Sequence, residues 1–505
     1  MRRNLFKAYD IRSKRSNFDE DTSKGLCHAI AYYMIHDVKT YSIVLGRDTR
    51  LGSEELMQTA VDIFVQSGMT VYLELNPMGT CQFYYNCIQH TKSGGVMITA
   101  SHNPGSYLGM KIVATEAQSV ALNCGPKGGL ATIQAYYEDS LLCNERSGGR
   151  VITMNSLDPY IDYSMRLAQV PSRSLKGLPV VCDFLHGSNG EAISRALNQS
   201  GVNGTFLHLI PNGNFPCGDP NPGSEASLQG TLKYLDDHQS PLCFVYDGDG
   251  DRMDLIYKGK QLSPGFVMAL IADELEMLFA PYFVGNDQKF SPSFLFDIKA
   301  NPLLLLNEVA HGKKIALVQN GHSYIKDTLH RKQQEHFLAA VEESAHYYLQ
   351  LPQVVDDWRS PLVASENTLF YTLLVLRVFL QAPYRFDEAM AMQDSCWRAR
   401  EWSIMIKDEE KRLTIQKEVE ESILQMGAIK ITENEHGESL GATLLRYNLP
   451  KTYDEHAELK TPWFQVFQRL SQSEETLLRW EVVASDEEIG EKVFAQLLKV
   501  QETYR

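Results

Sequence analysis

The 505-residue chain carries 48 lysines and arginines against 63 aspartates and glutamates, a formal net charge of −15. That balance works against general binding to nucleic acid or to a membrane surface, since both are anionic. The length exceeds what one hydrophobic core supports, so roughly three or four domains are expected.

Along the chain, an apolar run, Tyr41-Ser42-Ile43-Val44-Leu45, ends in the polar turn Gly46-Arg47-Asp48, and an amphipathic helix is predicted over 53–68. A second run, Gly95-Val96-Met97-Ile98, predicts a strand that delivers Thr99-Ala100-Ser101-His102-Asn103-Pro104 onto a loop. The strand pattern recurs at 178–183, ending in Asp183, and again at 294–299, ending in Asp297-Ile298-Lys299. Open α/β sheets collect ligands at the carboxyl ends of their strands, so Arg47, Asp183 and Lys299 are expected to face clefts. Three successive α/β units follow from this repetition, with a more mixed fourth unit that contains a charged helix over 408–425. Between 211 and 223 the chain is rich in proline and glycine and reads as loop.

After the run Leu242-Cys243-Phe244-Val245-Tyr246 comes Asp247-Gly248-Asp249-Gly250-Asp251-Arg252. Three alternating carboxylates behind a buried strand place like charges together at a cost that a hard divalent cation would offset. The spacing also opens an EF-hand loop. That motif requires glycine at its sixth position and glutamate at its twelfth, and here Arg252 and Lys258 stand there. A solvated acidic turn is the bland alternative. With Ser101 as a phosphate carrier and Arg252 as a guide, the parts suit phosphoryl transfer. Two further segments can contact a sugar phosphate: Glu342-Glu343-Ser344-Ala345-His346, and Arg469-Leu470-Ser471-Gln472-Ser473-Glu474 with Arg479. Taken singly, they are as well explained by a helix cap and a solvated loop.

The nine cysteines are odd in number, scattered and free of any C-x-x-C pair, which predicts reduced thiols in a cytoplasmic protein. No apolar h-region follows Met1-Arg2-Arg3, and the apolar stretch 369–380 contains Arg377 and is too short to span a bilayer. Neither a membrane nor a nucleic acid is therefore expected as partner.

Together these segments resemble the α-D-phosphohexomutase superfamily, in the family's order along nearly the whole chain. The segment 99–104 is similar to its phosphoserine loop, 247–252 to its metal loop, 342–346 to its sugar loop, and 469–474 with Arg479 to its phosphate loop. Phe6-Lys7-Ala8-Tyr9-Asp10-Ile11-Arg12, Gly46-Arg47-Asp48-Thr49-Arg50, Asp297-Ile298-Lys299 and Gly321-His322-Ser323-Tyr324-Ile325-Lys326 resemble the phosphomannomutase/phosphoglucomutase branch. The resemblance implies four domains around a central cleft: three similar α/β domains with mixed sheets (1–152, 153–258, 259–383) and a C-terminal α+β domain that binds phosphate (384–505).

It also implies a mutase that interconverts hexose 1-phosphate and hexose 6-phosphate, as a monomer or homodimer. One Mg²⁺ per chain would sit on Ser101, Asp247, Asp249 and Asp251, and hexose 1,6-bisphosphate would serve as intermediate and activator. Ser101, His102, Lys111, Arg12 and Arg252 would be catalytic, with the Lys111 pKa lowered by cationic neighbours. Tyr9, Lys299, His322, Glu342, Ser344, His346, Arg469, Ser471, Ser473 and Arg479 would bind the phosphosugar. An amino-sugar phosphate mutase and a catalytically silent sugar-phosphate binder are the alternatives. The chain departs from the family at Ser13, at Leu108-Gly109 before Lys111, at Val341 and Ala345 where the sugar loop has glycine, and at Gln472, Ser473 and Glu475.

Overall fold

The computed structural model describes residues 5–284, 290–454, 456–471 and 476–504. Four sheets follow one another along the chain. In the first, Ser42–Arg47 runs parallel to both Thr70–Glu74 and Gly94–Ile98, while Tyr107–Val113 and Ile11–Lys14 are added antiparallel. Arg150–Met154 pairs parallel with Thr70–Glu74. The second sheet is built on Pro179–Asp183, flanked in parallel by Asn203–Leu207 and Leu242–Tyr246. It continues antiparallel through Met253–Tyr257 to Lys260–Leu262, past the boundary expected at 258. In the third, Ser293–Asp297 lies between Lys314–Val318 and Phe337–Glu342 in parallel, and His346–Pro352 and Leu362–Glu366 extend it antiparallel.

The fourth sheet is wholly antiparallel, in the order Trp397–Met405, Leu477–Ala484, Phe464–Leu470, Ser439–Tyr447, Ile429–Glu433. Helices Glu409–Leu424 and Glu487–Glu502 pack against it through Ile415, Val419, Val493 and Leu497. Each begins at an aspartate that accepts from a backbone N–H three residues on: Asp408 from Lys411, and Asp486 from Ile489. Such caps satisfy a donor that the helix cannot. The mixed α/β class expected for the first three units, and the separate character of the fourth, are what the chain adopts.

One apolar core runs through the first three sheets. At its centre lies helix Thr368–Gln381, which holds the apolar stretch 369–380 and is buried along most of its length. Its one charged residue, Arg377, donates to the Ala168 carbonyl at 2.8 Å and pairs with Glu274, which makes the charge tolerable there. Among the described residues no helix is long and apolar enough to cross a membrane.

Of the three strand-end residues expected to face clefts, only Lys299 does. Arg47 turns back toward Glu54 at 3.5 Å. Asp183 is fully buried and accepts from the Leu185 N–H, from His208 Nδ1 and from the Thr231 hydroxyl. A carboxylate at a strand end can brace its own loop as readily as meet a ligand, and the sequence does not distinguish the two.

Candidate active site

A cleft of about 530 Å³ opens where the four sheets meet, and side chains from each line it. At its base the serine loop faces the acidic loop. Ser101 Oγ donates to Asp247 Oδ2 at 3.0 Å and lies 3.2 Å from His102 Nδ1. Ser101 has φ = 50° and is 2% exposed. A non-glycine residue in that region is uncommon and persists where its surroundings over-determine it. Here the Ser101 N–H is held by Thr99 Oγ1 at 2.9 Å. Arg50, itself fully buried against Asp48 at 3.1 Å, donates to the carbonyls of Ser101 (2.5 Å), Asn103 (2.6 Å) and Pro104 (2.8 Å).

The acidic loop is equally constrained. Asp247, Asp249 and Asp251 are all 0% exposed. Thr80 Oγ1 donates to Asp249 Oδ2 at 2.6 Å and Thr99 Oγ1 to the same oxygen at 3.1 Å, so the first domain grips the second domain's loop. A Cβ at Gly248 would stand 2.8 Å from the Ser101 carbonyl, which is why no side chain fits between these loops. Gly250 turns at φ = 69°.

Lys111 Nζ donates to Asp249 Oδ2 at 2.7 Å and also to Asp251. Asp249 Oδ1 and Asp251 Oδ1 are buried without a hydrogen-bond partner. Burial pushes the Asp247 carboxyl well above its usual range, and repulsion from Asp249 and Asp251 adds to this. Three buried carboxylates with two unpartnered oxygens fit a divalent cation, which would relieve both the repulsion and the unmet acceptors.

The Lys111 expectation needs correction. Burial disfavours its charge, but Asp249 and Asp251 outweigh burial and raise its pKa. Lys111 is thus held as an ammonium, because its nearest neighbours are anions and not the cations assumed from the sequence. By contrast His102 and His346 are kept neutral, chiefly by burial and then by Arg252. Arg252 Nε lies 3.8 Å from Asp247 and donates to His346 Nε2 at 3.1 Å. Arg12 Nη1 donates to Asn103 Oδ1 at 2.5 Å and Arg12 also pairs with Asp10.

On the third domain's side, Glu342, Ser344 and His346 line the cleft, and Glu342 accepts from the Tyr348 hydroxyl at 3.0 Å. Ala345 takes φ = 72° in place of the expected glycine, so the loop keeps a left-handed turn at a cost of about 1–2 kcal/mol. The rings of His322 and Tyr9 meet beside it at a tilt of 59°, their centroids 5.4 Å apart, and both line the cleft.

The fourth domain supplies Arg469 and Arg479. Arg479 Nη1 donates to Glu401 Oε1 at 2.7 Å, while Lys299 Nζ lies 3.4 Å from Glu401 Oε2. Burial alone would raise the Glu401 pKa, but Lys299, Arg479 and Arg469 overcome it and bring it down to about 2. Ser471 is buried, its N–H donating to the Leu477 carbonyl at 2.8 Å, and it does not line the cleft. Ser473, with Gln472, Glu474 and Glu475, lies outside the described residues.

Several residues of this site were not singled out for it from the sequence. Thr80 and Arg50 position the reacting loops, and Glu401 sits among the phosphate-loop cations. Behind Lys111, Lys326 Nζ donates to the Tyr84 hydroxyl at 2.7 Å and lies 3.5 Å from Glu366. Burial, offset first by Lys326, pushes Glu366 up to about 8. Only Arg50 and Lys326 carried a signal, as the last residues of two branch motifs.

Two family models match the chain: "Phosphoglucomutase/phosphomannomutase, alpha/beta/alpha domain I" over residues 3–123, and "domain II" over 158–260. A phosphomannomutase of Salmonella montevideo is 30% identical over 352 residues, covering 68% of this chain and 72% of its own. The chain belongs to the α-D-phosphohexomutase superfamily. Another phosphohexomutase relative, a phosphoglucomutase of Neisseria meningitidis, is 28% identical over 330 residues, covering 64% of this chain and 66% of its own. The fold likeness extends further. A crystal structure of a phosphoglucomutase/phosphomannomutase family protein from Burkholderia thailandensis superposes with a TM-score of 0.74 at 17% identity, over 99% of this chain and 97% of that one. The phosphohexomutase fold therefore includes the fourth domain, although the family models end at residue 260.

Proposed function

We propose that this protein interconverts hexose 1-phosphate and hexose 6-phosphate, with mannose or glucose as the sugar, through a phosphoserine at Ser101 and a hexose 1,6-bisphosphate intermediate. The observation that carries the reading is the placement of Ser101 Oγ, 3.0 Å from Asp247 in a loop with two unpartnered carboxylate oxygens. Arginines for a second phosphate stand in the same cleft.

In the first half-step the free sugar hydroxyl attacks the phosphorus on Ser101. The new P–O bond forms as the bond to Ser101 Oγ breaks, and the hydroxyl gives up its proton. That proton ends on the departing Ser101 Oγ, which restores the serine hydroxyl that donates to Asp247. Mg²⁺ on Asp247, Asp249, Asp251 and an oxygen at Ser101 would supply charge neutralisation at the transferring group. Lys111 and Arg252 add fixed positive charge there, where preorganised electrostatics contribute most. Arg12, through Asn103, holds the serine loop in register. Meanwhile Arg469 and Arg479 hold the phosphate that does not react, and Glu342 and Ser344 meet hydroxyls presented in both orientations. The bisphosphate then turns over and returns its other phosphate to Ser101.

The test is intact mass and turnover together. Purified protein should carry a phosphoryl adduct that Ser101→Ala removes, and should convert glucose 1-phosphate or mannose 1-phosphate when given a trace of bisphosphate. Conversion of glucosamine 1-phosphate alone would favour an amino-sugar mutase. No adduct and no conversion would mark a silent sugar-phosphate binder.

A further inference from the structure

Outside the cleft, at the carboxyl ends of strands Pro179–Asp183 and Asn203–Leu207, His186, His208 and Cys217 converge. One ligand atom from each lies within 4.8 Å of the others. A second observation concerns how the two rings are held. His208 Nδ1 is 2.8 Å from Asp183 Oδ1, and His186 Nδ1 is 2.8 Å from the Ile210 carbonyl. With acceptors at both Nδ1 atoms, each ring keeps its proton there, and its Nε2 lone pair is left to bind a metal. Metal-ligating histidines characteristically donate their other N–H to a carboxylate or a backbone carbonyl, and both kinds are present. Asp183 is fixed in turn by the Leu185 N–H and the Thr231 hydroxyl.

We propose that His186, His208 and Cys217 form a second metal site, distinct from the acidic loop and selective for a borderline-soft divalent transition metal such as Zn²⁺. Two imidazoles and a thiolate suit that class and not Mg²⁺, which takes oxygen ligands. Three protein ligands leave a fourth tetrahedral position for water. Closed tetrahedral N/S sites place ligand atoms on the order of 3.5 Å apart, so atoms that lie within 4.8 Å of one another need only a small contraction to complete the set. Cys217 can supply it, since it is exposed and belongs to the Pro/Gly-rich loop 211–223. Its thiol proton leaves to solvent on binding.

The consequence is structural. The same loop carries Phe215, whose ring packs under Arg50 at 5.0 Å, and Pro220, which lies against Gly248 of the acidic loop. A metal at Cys217 would tie this wall of the cleft to the second sheet. This inference does not depend on the proposed reaction.

The test uses full-length protein in excess Mg²⁺ with a non-thiol reductant, titrated with Co²⁺. One equivalent should give the visible ligand-field bands of a four-coordinate site and a near-ultraviolet thiolate charge-transfer band, both removed by Zn²⁺. Cys217→Ser, at an exposed position, should abolish the charge-transfer band. His208→Gln should weaken Co²⁺ binding at least tenfold, whereas Asp249→Asn should leave the spectrum unchanged. Absence of the bands in the wild type, or bands unaltered by both Cys217→Ser and His208→Gln, would overturn the site.

Discussion

The two ends of the cleft are built differently. Where Ser101 meets the acidic loop, Asp247, Asp249 and Asp251 are fully buried; Thr80 and Lys111 hold the Asp249 carboxylate and Arg50 holds the serine-loop backbone. Where the second phosphate would bind, Arg479 and Glu401 remain 23% and 22% exposed and pair with each other. The first end is preorganised for a reacting group, so small displacements are costly there. The second must admit and release a ligand, and its cations are balanced by a protein carboxylate that the ligand would replace.

Substitutions at the buried end should therefore have the largest effects. Asp249→Asn removes one charge from the three-aspartate set but keeps its size. Turnover should fall by about 10³-fold or more, with the circular dichroism and thermal transition near wild type. Unchanged turnover would remove Asp249 from the cation site and with it the contrast between the two ends.

Next in size is a stability effect at Asp254, which lines the cleft between the two ends. Burial raises its pKa from 3.8 to about 6, against a lowering hydrogen bond from Gln261. A carboxyl raised in the folded state is least costly below its unfolded pKa, and stability is lost as pH rises from about 4 through 6. Two pKa units correspond to about 3 kcal/mol. Asp254→Asn should remove this part of the pH dependence, so that denaturant unfolding shows the variant more stable at pH 7 and equal to wild type at pH 4. Parallel profiles across that range would assign the cost elsewhere.

Arg50→Lys acts on the serine loop without touching a reacting group. Lysine has no planar fork to serve the carbonyls of Ser101, Asn103 and Pro104 together. A loss in kcat on the order of tenfold to a hundredfold is expected, with KM little changed. A rise in KM alone would place Arg50 in binding.

The same contrast explains what could be read from the sequence. Ser101 and Asp247 to Asp251 were legible because each follows a strongly apolar strand, and chemistry at a strand end needs only local sequence. Helix Ser53–Gln66 was legible from its periodicity, and strand Leu242–Tyr246 from its unbroken apolar run, for the same reason. Thr80 was not, because its role depends on a contact 169 residues away. The charge of Lys111 was misjudged for a related reason: which neighbours dominate a pKa is decided by packing across domains. Asp183 shows the reverse case, a strand-end carboxylate whose partners His208 and Thr231 turn it inward.

Glu401 is the residue that tests the recognition end, and the reason it was not legible is geometric. Strand Trp397–Met405 pairs with Leu477–Ala484, but its register shifts between Ala399 and Trp402. An irregularity of this kind re-aims side chains, and Glu401 is directed into the cleft between Arg479 and Lys299. An incoming phosphate must compete with this carboxylate for both cations. Glu401→Gln keeps an acceptor for Arg479 and deletes the charge, so KM for the hexose phosphate should fall by about threefold to tenfold at low ionic strength. That corresponds to about 1 kcal/mol, modest because the groups are partly exposed. Screening should shrink the difference as salt is raised, which separates a charge effect from a change of shape. A KM that rises instead would mean that Glu401 holds Arg479 in its binding position, and the recognition end would then be preorganised in the same way as the serine end.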